Sequence, residues 1–152
     1  MTGILSSRQI VVTGGTGALD GAVIARLLEE GATCHVPSRG APDDFRFAGD
    51  ELVRLTPGVD ISDAASVDAF YAALPGLYAS IHVAGGFAMG RIDEVDGDAL
   101  AKMLAANTTS AFLCCRAAIR GMLAAGTPGH IVNVTARPGL EPRKGAGMVA
   151  YT

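Results

Sequence analysis

Tryptophan is absent from the 152 residues, aromatic residues make up only 5% and charged residues only 18%. With twelve basic against fifteen acidic side chains and a net charge of −3, there is no basic stripe with interleaved aromatics, so no electrostatic footprint for nucleic acid. Cysteine is equally scarce. Cys34, Cys114 and Cys115 form an odd set with two adjacent members, which argues against a disulfide framework and lacks metal-ligand spacing. Apolar runs are broken by charge well short of the ~18 residues of a membrane span. The N-terminus, Met-Thr-Gly-Ile-Leu-Ser-Ser-Arg, has neither the basic nor the apolar segment of a secretory signal. These absences lead to the expectation of a cytoplasmic protein with reduced thiols and no nucleic-acid or membrane partner. What is plentiful is apolar surface, at 49% of residues, enough for one domain over residues 1–152 with a real core.

Short β-branched runs alternate with helical patterns. Gln9–Thr13 reads as a buried strand that runs into Gly14-Gly15-Thr16-Gly17, and Leu19, Val23, Ile24, Leu27 and Leu28 then recur at helical spacing until Gly31. Thr33–Val36 predicts a second strand closed by Pro37, residues 39–51 a surface connection with one helical turn, and Leu52–Leu55 a third strand. Ser62 is the expected cap of a helix over Asp63–Leu74. Ser80–Val83 predicts a fourth strand. A long helix follows from near Asp96 to Gly126, its apolar face running through Leu100, Met103, Leu104, Ala111, Cys115, Ala118 and Met122, and His130–Val134 is a fifth strand. Strands this apolar, alternating with helical patterns, make a parallel sheet covered on both faces. With right-handed crossovers the arrangement is a doubly wound, Rossmann-type α/β fold in the order 3-2-1-4-5.

The first strand–helix turn carries chemistry. Gly14, Gly15 and Gly17 allow a tight bend and a close approach of backbone to a diphosphate, and the helix start at Ala18 and Leu19 supplies free N–H groups and partial positive charge. Asp20 stands where the fingerprint would place its third glycine. A carboxylate there stabilises the empty helix by ~0.3–1 kcal/mol. At ~5 Å and an effective dielectric of ~20, its repulsion of each unit charge on a diphosphate is about 3 kcal/mol, an upper bound. At the end of the second strand, where an acid would hold the 2′-OH of NAD, stand Ser38 and Arg39. A hydroxyl and a bidentate guanidinium suit the 2′-phosphate of NADP. NADP is therefore the expected cofactor, with NAD as the alternative.

With Thr13-Gly14-Gly15-Thr16-Gly17-Ala18-Leu19 in view, the chain resembles the short-chain dehydrogenase/reductase family over nearly its whole length. That family's loop reads T-G-x-x-x-G-x-G, and Ala18 and Asp20 are departures from it. The resemblance implies that Asp60, with Ile61 beside it, binds the adenine amino group. It implies that Ala84 and Gly85 pass close to the cofactor, although His82-Val83 replaces the family's asparagines. Asn107 points inward by its spacing, and a buried amide needs partners worth ~1–3 kcal/mol. These are nearby backbone or, by the resemblance, a water of a proton relay. Tyr151 matches the catalytic tyrosine, a phenol that gives its proton to a carbonyl oxygen as hydride arrives from the nicotinamide. Thr135 stands one residue short of the family's serine position, which holds Ala136.

By this resemblance the chain is an oxidoreductase acting on a small carbonyl or secondary alcohol, a homo-oligomer when intact, with no metal. The family's lysine would fall four residues beyond Tyr151, so the expectation is of an N-terminal portion whose sheet ends in an uncovered fifth strand, inactive by itself. The alternatives are a dinucleotide-binding module without catalysis, or an inactive fragment that neither binds nor folds stably. The three histidines, 35, 82 and 130, read as satisfied core or edge residues.

Overall fold

A computed structural model describes residues 3–15 and 17–152; Thr16 of the glycine turn lies outside them. Five strands among the described residues, β1 (Gln9–Thr13), β2 (Thr33–Pro37), β3 (Val53–Thr56), β4 (Ala79–His82) and β5 (His130–Asn133), form one sheet. Its order is β3-β2-β1-β4-β5. All neighbours are parallel, with Ile10 opposite Cys34 on one side and Ala79 on the other. This is the doubly wound Rossmann-type arrangement that the alternation predicts. Helices α1 (Ala18–Glu29), α2 (Ala64–Ala72), α3 (Gly97–Leu104) and α4 (Ser110–Ala125) flank it.

Side chains of β1 alternate between the two faces. Ile10 and Val12 pack with Ile24, Cys34 and Val36 on the α1 side. Val11 packs with Val67, Phe70, Leu113 and Ala118 on the α2 and α4 side. Two helix ends fall where glycine adopts a left-handed conformation, Gly31 at φ 80° and Gly126 at φ 62°. β5 is the uncovered edge, and Val132 is 48% exposed.

Three local expectations are corrected. The cap of α2 is Asp63, whose carboxylate accepts from the Ser66 N–H at 2.7 Å, rather than Ser62. Residues 39–51 form turns without a helix, and they are not all surface: Phe45 is buried in the α1-side core and meets Phe47 edge-on at 5.9 Å. With no helix in this connection, an aromatic side chain covers the sheet there instead.

The long helix is broken by a wide turn over Ala105–Thr109, where the Ser110 N–H reaches back to Ala105 O. Two side chains explain the break. Asn107 Nδ2 donates to Met103 O at 3.0 Å and Ser110 Oγ donates to Ala106 O at 2.7 Å. Carbonyls served by side chains release their backbone donors, and the ladder slips by a residue. One extra residue rotates the face by about 100°. Leu100 and Leu104, expected inside, are therefore exposed, while Leu113, Cys114 and Ala117 are buried and Cys115 is only half-buried.

Candidate functional site

The C-terminal ends of the central strands open onto a cavity of about 1090 Å³. A crevice beyond the strand ends is where ligands bind in open α/β sheets. The glycine turn contributes Gly14, Gly17, Ala18 and Leu19 to its wall; the end of β2 adds Ser38 and Arg39. Asp60 and Ile61 come from the turn after β3, and Ala84 and Gly85 from the segment after β4. Ten of the expected cofactor positions, distant in sequence, thus line one space.

Backbone packing explains the glycine at 14. It adopts φ 89°, and a Cβ there would lie 2.8 Å from Ala84 N, so only glycine lets the β1 turn and the β4 turn touch. Thr13 is buried beneath the same contact, its Oγ1 accepting from the Ala84 N–H at 3.3 Å. Gly15 does not reach the large cavity. It is buried against Val36, where a Cβ would sit 2.2 Å from Cγ1.

Asp20 also lines the cavity and is 6% exposed. Its Oδ2 accepts from the Gly17 N–H at 2.8 Å, a donor shared with Gly14 O at 3.2 Å, so the carboxylate stands where an anion at the turn would be held. Desolvation pushes its pKa above 3.8, against the opposing pull of the Gly17 and Asp20 backbone amides. Asp60 behaves in the opposite way. Its Oδ1 accepts from Ser62 Oγ at 2.6 Å and from the Ser62 N–H at 2.9 Å, and these bonds hold its carboxyl below the usual range.

The expected catalytic residues do not line this cavity, but two of them attach to the segment beside it. Asn107 is bracketed to Gly86: Oδ1 accepts from the Gly86 N–H at 3.0 Å and Nδ2 donates to Gly86 O at 3.1 Å. Of its two expected partners the structure supplies backbone, and the side chain is half-buried rather than wholly inside. Tyr151 stacks edge-on against Phe87 with ring centroids 5.1 Å apart. Its segment is held there by Gly90 N–H to Gly147 O at 2.7 Å and Val149 N–H to Gly90 O at 3.1 Å. Thr135 is exposed in the loop after β5 and joins neither group.

Lys102 and Ala106, which carry no signal in the sequence, also line the cavity, together with Met103, expected only on the apolar face of the helix. The slipped ladder turns this stretch toward it, and even helical spacing carries no sign of that. The histidines are satisfied, as expected: His35 Nε2 pairs with Gln9 Oε1 at 2.7 Å and His130 stacks on Tyr78. His82 belongs to a chain, buried from Tyr71 to His82 and exposed at Asn133, in which Tyr71 OH meets Ser80 Oγ at 2.7 Å, Ser80 Oγ meets His82 Nε2 at 2.8 Å, and His82 Nδ1 meets Asn133 Oδ1 at 2.7 Å. Asn133 Oδ1 can only accept, so Nδ1 carries the proton, Nε2 accepts from Ser80, and Ser80 accepts from Tyr71. Burial lowers the pKa of His82 below 6.5, in keeping with this neutral tautomer.

A family model described as short chain dehydrogenase matches residues 8–152. The chain belongs to that family. Among curated members, a 2,5-dichloro-2,5-cyclohexadiene-1,4-diol dehydrogenase of Sphingobium indicum is 30% identical over 99% of this chain. The chain spans 62% of that relative's length. Among solved structures, a short-chain type dehydrogenase/reductase from Mycobacterium ulcerans is 28% identical with a TM-score of 0.74, over 88% of this chain and 53% of that one. An NADH-dependent reductase complexed with NAD shares the fold at a TM-score of 0.82, with 22% identity over 99% of this chain and 67% of that one. The family membership accounts for the glycine turn and the strand order. Asp20 remains this chain's own departure from the family's loop.

Proposed function

We propose that this short-chain dehydrogenase chain forms the cofactor-binding part of an NADP-dependent oxidoreductase that moves hydride between a nicotinamide and a small carbonyl or secondary alcohol. The observation that carries the reading is the convergence of the glycine turn, Ser38 and Arg39, Asp60, and Ala84–Gly85 on one cavity. The residues fit the adenosine half of such a cofactor. Ser38 and Arg39 supply a hydroxyl and a fork of donors for a 2′-phosphate. Asp60 keeps Oδ2 for an adenine amino group while Oδ1 is committed to Ser62. Close approach of backbone is secured by Gly14 against Ala84.

The bound nicotinamide would supply or accept the hydride. In this reading the chain's own groups handle the proton: Tyr151 offers a phenol to the carbonyl oxygen, and Thr135 a second hydroxyl once its loop is drawn in. Asn107 fixes the Gly86 backbone between the cofactor cavity and Phe87, against which Tyr151 rests. A second reading, a dinucleotide-binding module without catalysis, is favoured by Thr135 and Tyr151 standing outside the cavity wall and by Asp20 inside it.

Calorimetric titration with NADPH and NADH, beside carbonyl-dependent NADPH oxidation, tests both. The first reading expects NADPH to bind more tightly than NADH. Arg39→Ala should weaken NADPH about 10- to 100-fold, the loss of a charge-assisted pair, and leave NADH nearly unchanged. Binding without oxidation of any carbonyl, by this chain and also by one extended to carry a lysine four residues beyond Tyr151, supports the module. Equal affinities that Arg39→Ala does not alter would refute the NADP assignment.

A further inference from the structure

The start of α1 offers an anion its backbone N–H groups and the positive end of the helix dipole. The Asp20 carboxylate already holds that place. It accepts from the Gly17 N–H at 2.8 Å, and a Cβ on Gly17 would lie 2.7 Å from the same Oδ2. One negative charge is therefore fixed in the cavity wall, at the subsite where a diphosphate would bring two more.

The charged groups facing this position come from several elements. The β2–β3 connection contributes Arg39 on the large cavity, with Asp44 and Arg46 on a small cavity under the glycine turn. The Arg46 guanidinium comes within 3.5 Å of where a Gly21 Cβ would stand. The turn after β3 contributes Asp60 and α3 contributes Lys102. The salt bridges among the described residues leave Asp20 out, so no cation cancels its charge directly.

We infer that Asp20 sets the charge state in which the cavity accepts a dinucleotide: the diphosphate binds together with one proton, taken up on the Asp20 carboxyl. This deepens the cofactor reading above and rests on it. The balance is simple. Carboxylate, dinucleotide and one proton give a complex holding a neutral carboxyl, and no covalent bond to the ligand forms or breaks. The neutral group keeps one oxygen on the Gly17 N–H and turns its O–H into a donor toward phosphate, where the carboxylate could only repel. Burial makes the carboxylate easier to protonate than a free one, against the pull of the Gly17 and Asp20 amides. A group whose pKa is higher in the complex than in the free protein binds protons on association. Affinity is then greatest below the free value, falls as pH rises between the two values, and levels off above the bound one.

The test is calorimetric titration of the whole chain with NADPH and with NADH over a pH series that runs from the lowest pH at which the chain stays folded up to about pH 8, so that it begins on the acid side where the carboxyl is most protonated. Buffers of different ionisation enthalpy count the protons taken up. Asp20→Asn is the comparison, because it keeps an oxygen for Gly17 and a donor for phosphate but cannot ionise; the difference between the two proteins cancels the 2′-phosphate's own titration. The wild type is expected to take up as much as one proton more per ligand than the variant, with Kd rising by up to about tenfold per pH unit between the free and bound values. The variant is expected to bind NADH with little pH dependence and more tightly at the alkaline end. Identical proton counts and identical pH profiles would overturn the role given to Asp20 and leave the cofactor site standing. Absence of binding in both folded proteins, with both dinucleotides at every pH, would overturn the cofactor site itself and the inference with it.

Discussion

Replacing Asn107 asks whether the bracket it forms is a structural fixture of the site. Its side chain accepts from the Gly86 N–H and donates to Gly86 O and Met103 O, at 3.0, 3.1 and 3.0 Å. Asn107→Ala removes all three bonds. At about 1 kcal/mol net for each, and with the half-buried site letting water recover some of the loss, the expected destabilisation is about 2–3 kcal/mol. Asn107→Asp is the sharper probe. The carboxylate still accepts from Gly86 N–H, but it turns an acceptor toward the two carbonyls that had a donor. Near neutral pH it should therefore cost at least as much as alanine. Lowering the pH protonates the new carboxyl and restores one donor, so the deficit relative to wild type should shrink on acidification. Urea unfolding followed by far-UV circular dichroism measures both variants over a pH series. An Asn107→Asp protein as stable as wild type near neutrality, or an alanine variant costing less than about 0.5 kcal/mol, the size of an ordinary surface substitution, would refute the bracket.

The chain from Tyr71 to Asn133 makes a counterintuitive prediction. Tyr71→Phe deletes only a terminal donor and should cost about 1 kcal/mol, whereas Ser80→Ala strands both the Tyr71 hydroxyl and His82 Nε2 and should cost about 2–4 kcal/mol; denaturant midpoints that reverse this order would contradict the place of Ser80 as the middle link between Tyr71 and His82. His35 and His82 both have pKa values lowered from 6.5 by burial. The unfolded chain then binds protons that the folded one refuses, so their contribution is intact above 6.5 and is lost as pH falls through it, by up to about 1.4 kcal/mol per pH unit for each. A thermal melting series between about pH 7 and pH 5 should show that decline, less steep in His82→Asn. Asp20→Gly leaves the Gly17 N–H only its longer bond to Gly14 O at 3.2 Å and removes a charge whose repulsion is at most about 3 kcal/mol per ligand charge; it should tighten dinucleotide binding, and equal affinity of the two forms would refute that.

The parallel sheet was legible because strands such as Gln9–Thr13 are apolar on both faces and helices stop at Gly31 and Gly126, local signals that require no tertiary knowledge. The cavity was legible in part for the same reason: Gly14, Ser38 and Arg39 follow closely on strand ends, and strand ends converge in this topology, whereas Asp60, beyond the end of β3 at Thr56, was marked only by the family resemblance. What escaped the sequence depends on side chains acting on distant or competing backbone. Periodicity assumes an even ladder, so the turn that Asn107 and Ser110 create by claiming helix carbonyls was invisible, and with it the exposure of Leu100 and Leu104 and the position of Lys102. Phe45 is one of two aromatics in a polar stretch, with nothing local to mark it rather than Phe47 as core. His82 and Asn133 are 51 residues apart, and only the β4–β5 register joins them. Asp20 was recognisable as a charge in a glycine's place, but its bond back to Gly17 is a matter of rotamer.

Isothermal titration of the chain with NADPH, alongside Gly14→Ala, tests the central claim most directly. A Cβ at position 14 would stand 2.8 Å from Ala84 N with φ at 89°, disturbing the contact on which the cofactor cavity is built. The account predicts saturable one-to-one binding by the wild type that is lost in a variant whose circular dichroism still reports the sheet and helices. No binding by the folded wild type, or undiminished binding by Gly14→Ala, would contradict it.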